Sequence, residues 1–194
     1  MLCRQPLAVT QKDLPGQEDP GARLLTVRTA GLSFTTVHVP IASGKGQSGV
    51  DRKLEWLDAL GEHLREPAHK DMATLVCGDF NITPAPMDGW RHWHEQREDK
   101  SKPGFRDDER SRIHSLQGAG WFDLVRHANP AQEMFTWWHS WSLYAEHKGL
   151  RLDLAFGNRA VLDRLRSART DRTPLERRRG NKRPDHAPVI VDLD

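Results

Sequence analysis

The chain has 194 residues, 37% of them hydrophobic and 29% charged, with a formal net charge of +2. That length fits a single domain over residues 1–194 with a sizeable core, and the near-neutral balance excludes a uniformly charged polyelectrolyte. Mean hydropathy is −0.72, no window approaches the roughly 20 apolar residues of a membrane span, and the first residues carry no apolar run fit for a signal peptide.

Cys3 and Cys77 are the only cysteines, too few for a disulfide framework, so we expect a cytoplasmic monomer with no membrane partner. Residues 11–21 are rich in turn formers, with Pro15-Gly16 and Pro20-Gly21 as breakers. Residues 23–28 read as a strand, Ala30-Gly31 as a turn and residues 33–39 as a second, β-branched strand, a hairpin that stops at Pro40. The glycine-rich residues 43–49 lack the Lys-Ser/Thr ending of a nucleotide cradle and are expected to form a loop. Asp51 is placed to cap a helix running to Leu64, with Leu54, Leu57, Leu60 and Leu64 at helical spacing and Trp56 widening the apolar face.

Residues 72–77 form a short continuous apolar run, the pattern of a strand covered on both faces, and Gly78-Asp79 ends it. A polar, Trp-bearing insertion over residues 87–106 shows no clear periodicity. Residues 107–117 read as a helix stopped by Gly118 and Gly120, and residues 135–138, 150–156 and 188–193 as further strands. Strands alternating with helices imply an α/β domain. Between Arg159 and Arg183 ten Lys or Arg face only Asp163, Asp171 and Glu176. This stretch reads either as a solvated loop or as an electrostatic approach for a phosphate backbone.

Three separated segments carry groups suited to phosphate chemistry. Asp79 and Asn81 lie just past a buried strand end, where an extended backbone would aim both side chains to one side. An ionised Asp can orient or deprotonate water, and an Asn amide can donate to a phosphate oxygen. Asp153 alternates with Leu152 and Leu154, so it faces away from both and needs donors or a polar cleft. Asp185-His186 precedes the last strand; we expect Asp185 to turn to a metal and His186 to hold Asp153 on one ring nitrogen, freeing the other for phosphate. Taken singly, each has a plainer reading as a turn cap, a structural ion pair or a surface pair. Trp137, Trp138 and Trp141 cluster before the Asp153 strand, where they could stack on a base. One of the adjacent Trp137 and Trp138 is equally well placed in the core, because neighbours on a strand face opposite sides.

In order, residues 76–84 (with Gly78-Asp79-Phe80-Asn81), Phe135-Thr136-Trp137-Trp138, residues 149–153 and Asp185-His186-Ala187-Pro188 resemble the exonuclease III family of the metal-dependent endonuclease/exonuclease/phosphatase superfamily. The likeness extends over nearly the whole chain. It implies a four-layer α/β sandwich of two mixed β-sheets flanked by helices, with the site at one end of the sheets. It also implies 3′→5′ exodeoxyribonuclease and abasic-site endonuclease activity on DNA with Mg²⁺, or Mn²⁺ in its place. Asp79, Asn81, Asp153 and His186 would then be catalytic, and Asp79, Asn81, Asp185 and His186 would lie at the metal. Trp137, Trp138 and Arg151 would be DNA contacts. The family pattern opens with an Asn-bearing strand and a metal-binding Glu that have no counterpart here, so the chain reads as N-terminally shortened, with the first strands missing. His38 stands where a Tyr is usual, and Ile41-Ala42 where Asn-Gly is usual. Two other readings are a non-catalytic remnant that binds DNA and a small-substrate phosphatase of the same superfamily.

Overall fold

A computed structural model of the chain describes residues 3–18, 21–42, 44–66, 69, 71–90, 104–176 and 184–194. The expected hairpin is present as β2 (Leu24–Thr29) and β3 (Leu32–His38), paired antiparallel. β1 (Ala8–Lys12) lies beside β2 and runs into the start of the stretch, residues 11–21, expected to be turn-rich. Its exposed, polar pattern carries no alternation from which a strand could be read. Helix α1 (Gly46–Arg65) starts ahead of the expected Asp51 cap and absorbs part of the glycine-rich loop. Trp56, Leu57, Leu60 and Leu64 form its buried stripe, as their spacing predicts.

β4 (Thr74–Asp79) runs parallel to β3 and antiparallel to β6 (Asp153–Gly157), and β6 pairs in turn with the two-residue β5 (Phe122–Asp123). The result is a mixed six-stranded sheet in the order β1-β2-β3-β4-β6-β5. A second sheet joins β7 (Leu165–Thr170) to β8 (Val189–Leu193) in an antiparallel pair. The architecture is therefore α/β with helices on a mixed sheet, as expected. The mixed character is confined to the first sheet, and the second holds two strands among the described residues.

Alternation along the strands sorts the two faces of the large sheet. Val37, Val76, Leu154 and Phe156 pack with α1 and with α2 (Asp107–Gly118) in one core. Phe34 and Leu75 face the other way, in a second core with Val189, Val191 and Leu193 of β8. Residues 135–138, expected as a strand, make only single bridges, from Trp137 to Leu150 and to His186. No helix among the described residues is long and apolar enough to cross a membrane. Of the polar insertion, residues 91–103 lie outside the described residues; of the basic stretch, so do residues 177–183.

Gly78 allows β3 and β4 to approach just before Asp79. Its φ is +147°, and a Cβ there would lie 1.9 Å from the Val37 carbonyl oxygen. Any side chain would push the two strands apart at the point where β4 delivers its terminal carboxylate.

A buried charge cluster holds the next segments. Arg151, 1% exposed, donates through Nε and Nη2 to Asp88 at 2.6 and 3.0 Å and through Nη1 to Asp123 at 2.8 Å. Arg126 also pairs with Asp88, and Asp123 caps helix α3 (Leu124–Ala128) by accepting the Arg126 backbone N–H at 3.0 Å. Arg151 is thus a scaffold residue and not the DNA contact the resemblance implies, because its guanidinium is enclosed by two carboxylates. Removing it leaves buried Asp123 without a counter-charge and Asp88 with Arg126 alone. We expect Arg151→Met to cost about 3–5 kcal/mol in urea or guanidinium unfolding. A loss below about 1 kcal/mol, the level of an exposed pair, would show that the cluster does not hold the fold.

Candidate active site

β4 ends on Asp79 and β6 begins on Asp153, and the antiparallel register sets these two residues directly opposite each other. Directly opposed side chains share a face, with Cβ atoms about 4.5–5.5 Å apart. Asp153 Oδ2 accepts a 2.8 Å hydrogen bond from Nδ1 of His186. His186 reaches this position because Thr136 stitches its segment to β6. The Thr136 hydroxyl accepts the backbone N–H groups of Leu152 and Asp153, both at 3.0 Å, while its carbonyl accepts the Ala187 N–H at 2.7 Å. The Asp79–Asp153–His186 constellation therefore follows from strand register and one buried threonine.

Of the two readings of Asp79-Phe80-Asn81, an extended run or a turn capped by a side chain, the structure has the turn. Asn81 has a φ of +51°, a left-handed conformation that Asn tolerates better than most residues. Three bonds hold it: its N–H donates to Asp79 Oδ1 at 2.8 Å, its Nδ2 to the Val39 carbonyl at 2.9 Å, and Lys53 Nζ to its carbonyl at 2.7 Å. One side-chain N–H is spent on Val39, which leaves the amide oxygen and the second N–H. Lys53 is itself buried and ion-paired with buried Glu109 at 2.9 Å. The sequence reading missed Lys53 and Glu109 as parts of this site. The signal was available: Lys53 shares the α1 stripe with Leu57 and Leu60, and Glu109 the α2 stripe with Ile113 and Leu116. A charge on an apolar stripe needs a buried partner.

Asp185 is exposed at the rim and accepts from Trp137 Nε1 at 3.3 Å. Trp137 is half-buried, whereas Trp138 is 3% exposed. Trp138 packs edge-on against Tyr144, and any Cβ at Gly149 would strike it. The expected DNA contact at Trp138 is therefore corrected: adjacent residues point oppositely, and this one fills the core. Trp141 is 46% exposed and stacks on Tyr144. In the described part of the basic stretch, Arg159, Arg166 and Arg169 pair with Asp163, Asp194 and Asp192, which lowers its free charge.

Electrostatics match this geometry. Burial, with the neighbouring Asp153 charge, pushes the Asp79 carboxyl above its usual value, against the Asn81 N–H and the His186 and His38 rings. His38 Nε2 stands 3.9 Å from Asp79 Oδ2. The Asp153 hydrogen bond raises His186 above the ordinary histidine value, with further support from the Asp79 and Asp185 charges. Burial and Asp153 push the Cys77 thiol up to about 12, so Cys77 stays protonated on the same face. A cleft of about 600 Å³ opens there, lined by Cys77, Asp153, His186 and the apolar residues Phe34, Leu75 and Val189. Asp79, Asp153 and Asp185 offer oxygen donors, and two opposed carboxylates repel unless a cation or proton separates them. Oxygen donors of this kind suit a hard divalent cation, though the three carboxylates are not drawn into one close cluster.

The Endonuclease/Exonuclease/phosphatase family matches residues 1–174, and the chain belongs to that family. Among curated proteins it is similar to exodeoxyribonucleases of Streptococcus pneumoniae (25% identity, 93% of this chain and 62% of the relative) and of Bacillus subtilis (26% identity, 70% and 52%). Among solved structures it is similar to the 3′-5′ exonuclease NExo of Neisseria meningitidis, with TM-score 0.83 and 26% identity over 98% of this chain and 71% of that one. An AP endonuclease from Archaeoglobus fulgidus shares the fold, with TM-score 0.80 and 22% identity over 98% of this chain and 71% of that one. The exonuclease III-like character read from the motifs thus holds, while the chain spans 62% of the length of the S. pneumoniae relative.

A raised folded-state pKa at His186 has a signed consequence. The bond to Asp153 contributes its full stability below the unfolded value of about 6.5, and that contribution is lost as pH rises through the higher folded value. In the metal-free protein, an NMR pH titration should find the His186 ring titrating above free histidine, and Asp153→Asn should lower it. A ring titrating at or below the free value would remove the dyad.

Proposed function

We propose that this chain carries the site of a divalent-cation-assisted DNA phosphodiesterase, acting as a 3′→5′ exodeoxyribonuclease and abasic-site endonuclease in DNA repair. The observation that carries the reading is the carboxylate pair Asp79–Asp153 joined to His186 through a 2.8 Å hydrogen bond. Hydrolysis of a phosphodiester needs a positioned water, a group to take its proton, and positive charge or donors for the phosphate oxygens. Asp79 suits the first two roles, since its raised pKa brings it closer to the range of an effective base. His186 suits the third: Asp153 fixes one ring nitrogen, and the other can donate to a non-bridging oxygen while the ring is charged. Asn81, locked in its left-handed turn, supplies a neutral donor beside Asp79.

Mg²⁺, or Mn²⁺ in its place, would be held by Asp79, Asn81 and Asp185 and, when bound, would neutralise charge developing on the phosphate. His186 is better suited to phosphate than to metal, because its Nδ1 is already engaged. Trp137, half-buried and fixed to Asp185, offers an aromatic wall for a sugar or base at the rim.

DNA as substrate is supported by the relatives' names and by a structure titled as the 3′ phosphatase NExo from Neisseria bound to product DNA hairpin, similar at TM-score 0.85 and 26% identity over 98% of this chain and 72% of that one. That title makes a 3′-phosphate a further substrate to offer.

The test presents the purified protein and Mg²⁺ with duplexes bearing an abasic site, a recessed 3′ end or a 3′-phosphate. Cleavage should vanish with chelator, and Asp79→Asn should lower its rate about 10²–10⁴-fold, the range of a lost acid–base group. Tight DNA binding without turnover, or hydrolysis of small phosphoesters alone, would overturn the proposal.

A further inference from the structure

At the opposite end of β4 from Asp79, three side chains of a different chemistry come together. His63 lies in the last turn of α1, Glu66 is its C-cap, and His69 precedes β4. One ligand atom from each lies within 4.8 Å of the other two. His63 Nδ1 stands 3.4 Å from Glu66 Oε1, and the two imidazoles meet edge to face with centroids 4.5 Å apart. Both histidines are 8% exposed, while the Glu66 side chain is 57% exposed.

Packing alone leaves this cluster incomplete. His63 Nε2 is buried and has no hydrogen-bond partner among the described residues. A neutral imidazole has one donor and one acceptor nitrogen, and a buried nitrogen without a partner carries a desolvation cost. Hydrogen bonds of the backbone link the described residues of the cluster to one another and to the sheet. Glu66 N–H donates to the His63 carbonyl at 3.2 Å, and His69 N–H to the Glu66 carbonyl at 3.1 Å. Buried Asn158 donates to the carbonyls of His69 and Met72 at 3.0 and 2.7 Å, fixing this segment to the end of β6. Two buried imidazoles and a carboxylate, with one ligand atom of each this close together, are the parts of a transition-metal site.

We propose that His63, Glu66 and His69 form a second metal site, for Zn²⁺ or a similar nitrogen-preferring divalent ion. Two imidazoles and one carboxylate suit Zn²⁺, and bonds of about 2.0–2.1 Å in a tetrahedral set place ligand atoms roughly 3.4 Å apart. His63, through Nδ1, already stands at that spacing from Glu66 Oε1. The exposed Glu66 edge leaves a fourth position for water. This site lies about one strand length, roughly 17 Å, from the oxygen-lined end of β4, and its donors differ from the carboxylates that suit Mg²⁺. The bound ion would tie the end of α1 to the start of β4 and act as a structural clip.

The test uses the full chain, stripped with chelator and desalted. Zn²⁺ is titrated against a chromogenic chelator, and Co²⁺ is titrated with absorption as readout. The expected result is one equivalent of Zn²⁺ bound at micromolar concentration, with the strong visible bands of four-coordinate Co²⁺. Glu66→Ala, at an exposed position that keeps the fold, and His69→Asn should each weaken Zn²⁺ binding at least about tenfold, while Asp185→Ala should leave it unchanged. Binding only at millimolar Zn²⁺, equal binding by both cluster variants, or loss of the ion in Asp185→Ala would overturn the site.

Discussion

The register between β4 and β6 is the constraint on which the site depends. It sets Asp79 across from Asp153 on the face toward the second sheet. A one-residue slip would turn every side chain of β6 to the opposite face, placing Asp153 in the apolar core beside α1. The register resists such a slip because both faces are specified. Leu154 and Phe156 are committed to the α1 core, and a misplaced carboxylate there would be desolvated without a donor. The burial preferences that fold the sheet thus also bring two like charges together. Only a proton, a nearby cation or a histidine can relieve that juxtaposition, and His186 supplies part of the relief.

Around this pair the protein uses buried charges as struts. Arg151 binds Asp88 and Asp123, and Lys53 bridges Glu109 and the Asn81 carbonyl. Such pairs add little net stability over an apolar replacement, but they are costly to break singly. Their value here is positional. The Arg151 cluster fixes the start of β6, two residues before Asp153, and the Lys53 pair fixes the turn that carries Asn81. Burial pulls the Lys53 pKa down while Glu109 opposes the shift, so the ammonium depends on its partner. These struts hold the acidic and amide groups of the site on rigid elements rather than on free loops.

How far the sequence could be read follows from the same physics. The hairpin of β2 and β3, the α1 stripe and the apolar β4 run were legible because period and burial coincide there. The pairing of Asp153 with His186 was also legible, once the ordered motifs suggested a shared site. Arg151 and Trp138 were assigned to DNA from residue type and motif position. Neither signal tells whether a side chain turns inward. Trp138 and Trp137 show the limit clearly, since alternation predicts that one is core and says nothing of which. β1 and β7 were missed because their exposed, charged residues mask the strand period. At Asn81 the plainer reading of Asp-Phe-Asn, a turn capped by the Asp side chain, describes the backbone, and the extended alternative does not; Lys53 and Val39, remote in sequence, complete the grip.

β4 ends in different chemistry at its two ends, and the difference has a simple origin. At its C-terminal end two partly buried carboxylates, Asp79 and Asp153, oppose each other with exposed Asp185 at the rim, and such oxygens attract hard cations. At its N-terminal end, Thr74 and Asn158 are buried and tied together, and His63 and His69 sit under cover. Imidazole tolerates that setting better than carboxylate, because its neutral form is the ligating one. An ion that prefers nitrogen is therefore favoured where the chain buries imidazoles, and one that prefers oxygen where it gathers carboxylates. Donor chemistry, and not ligand count alone, separates the two ends of the same strand.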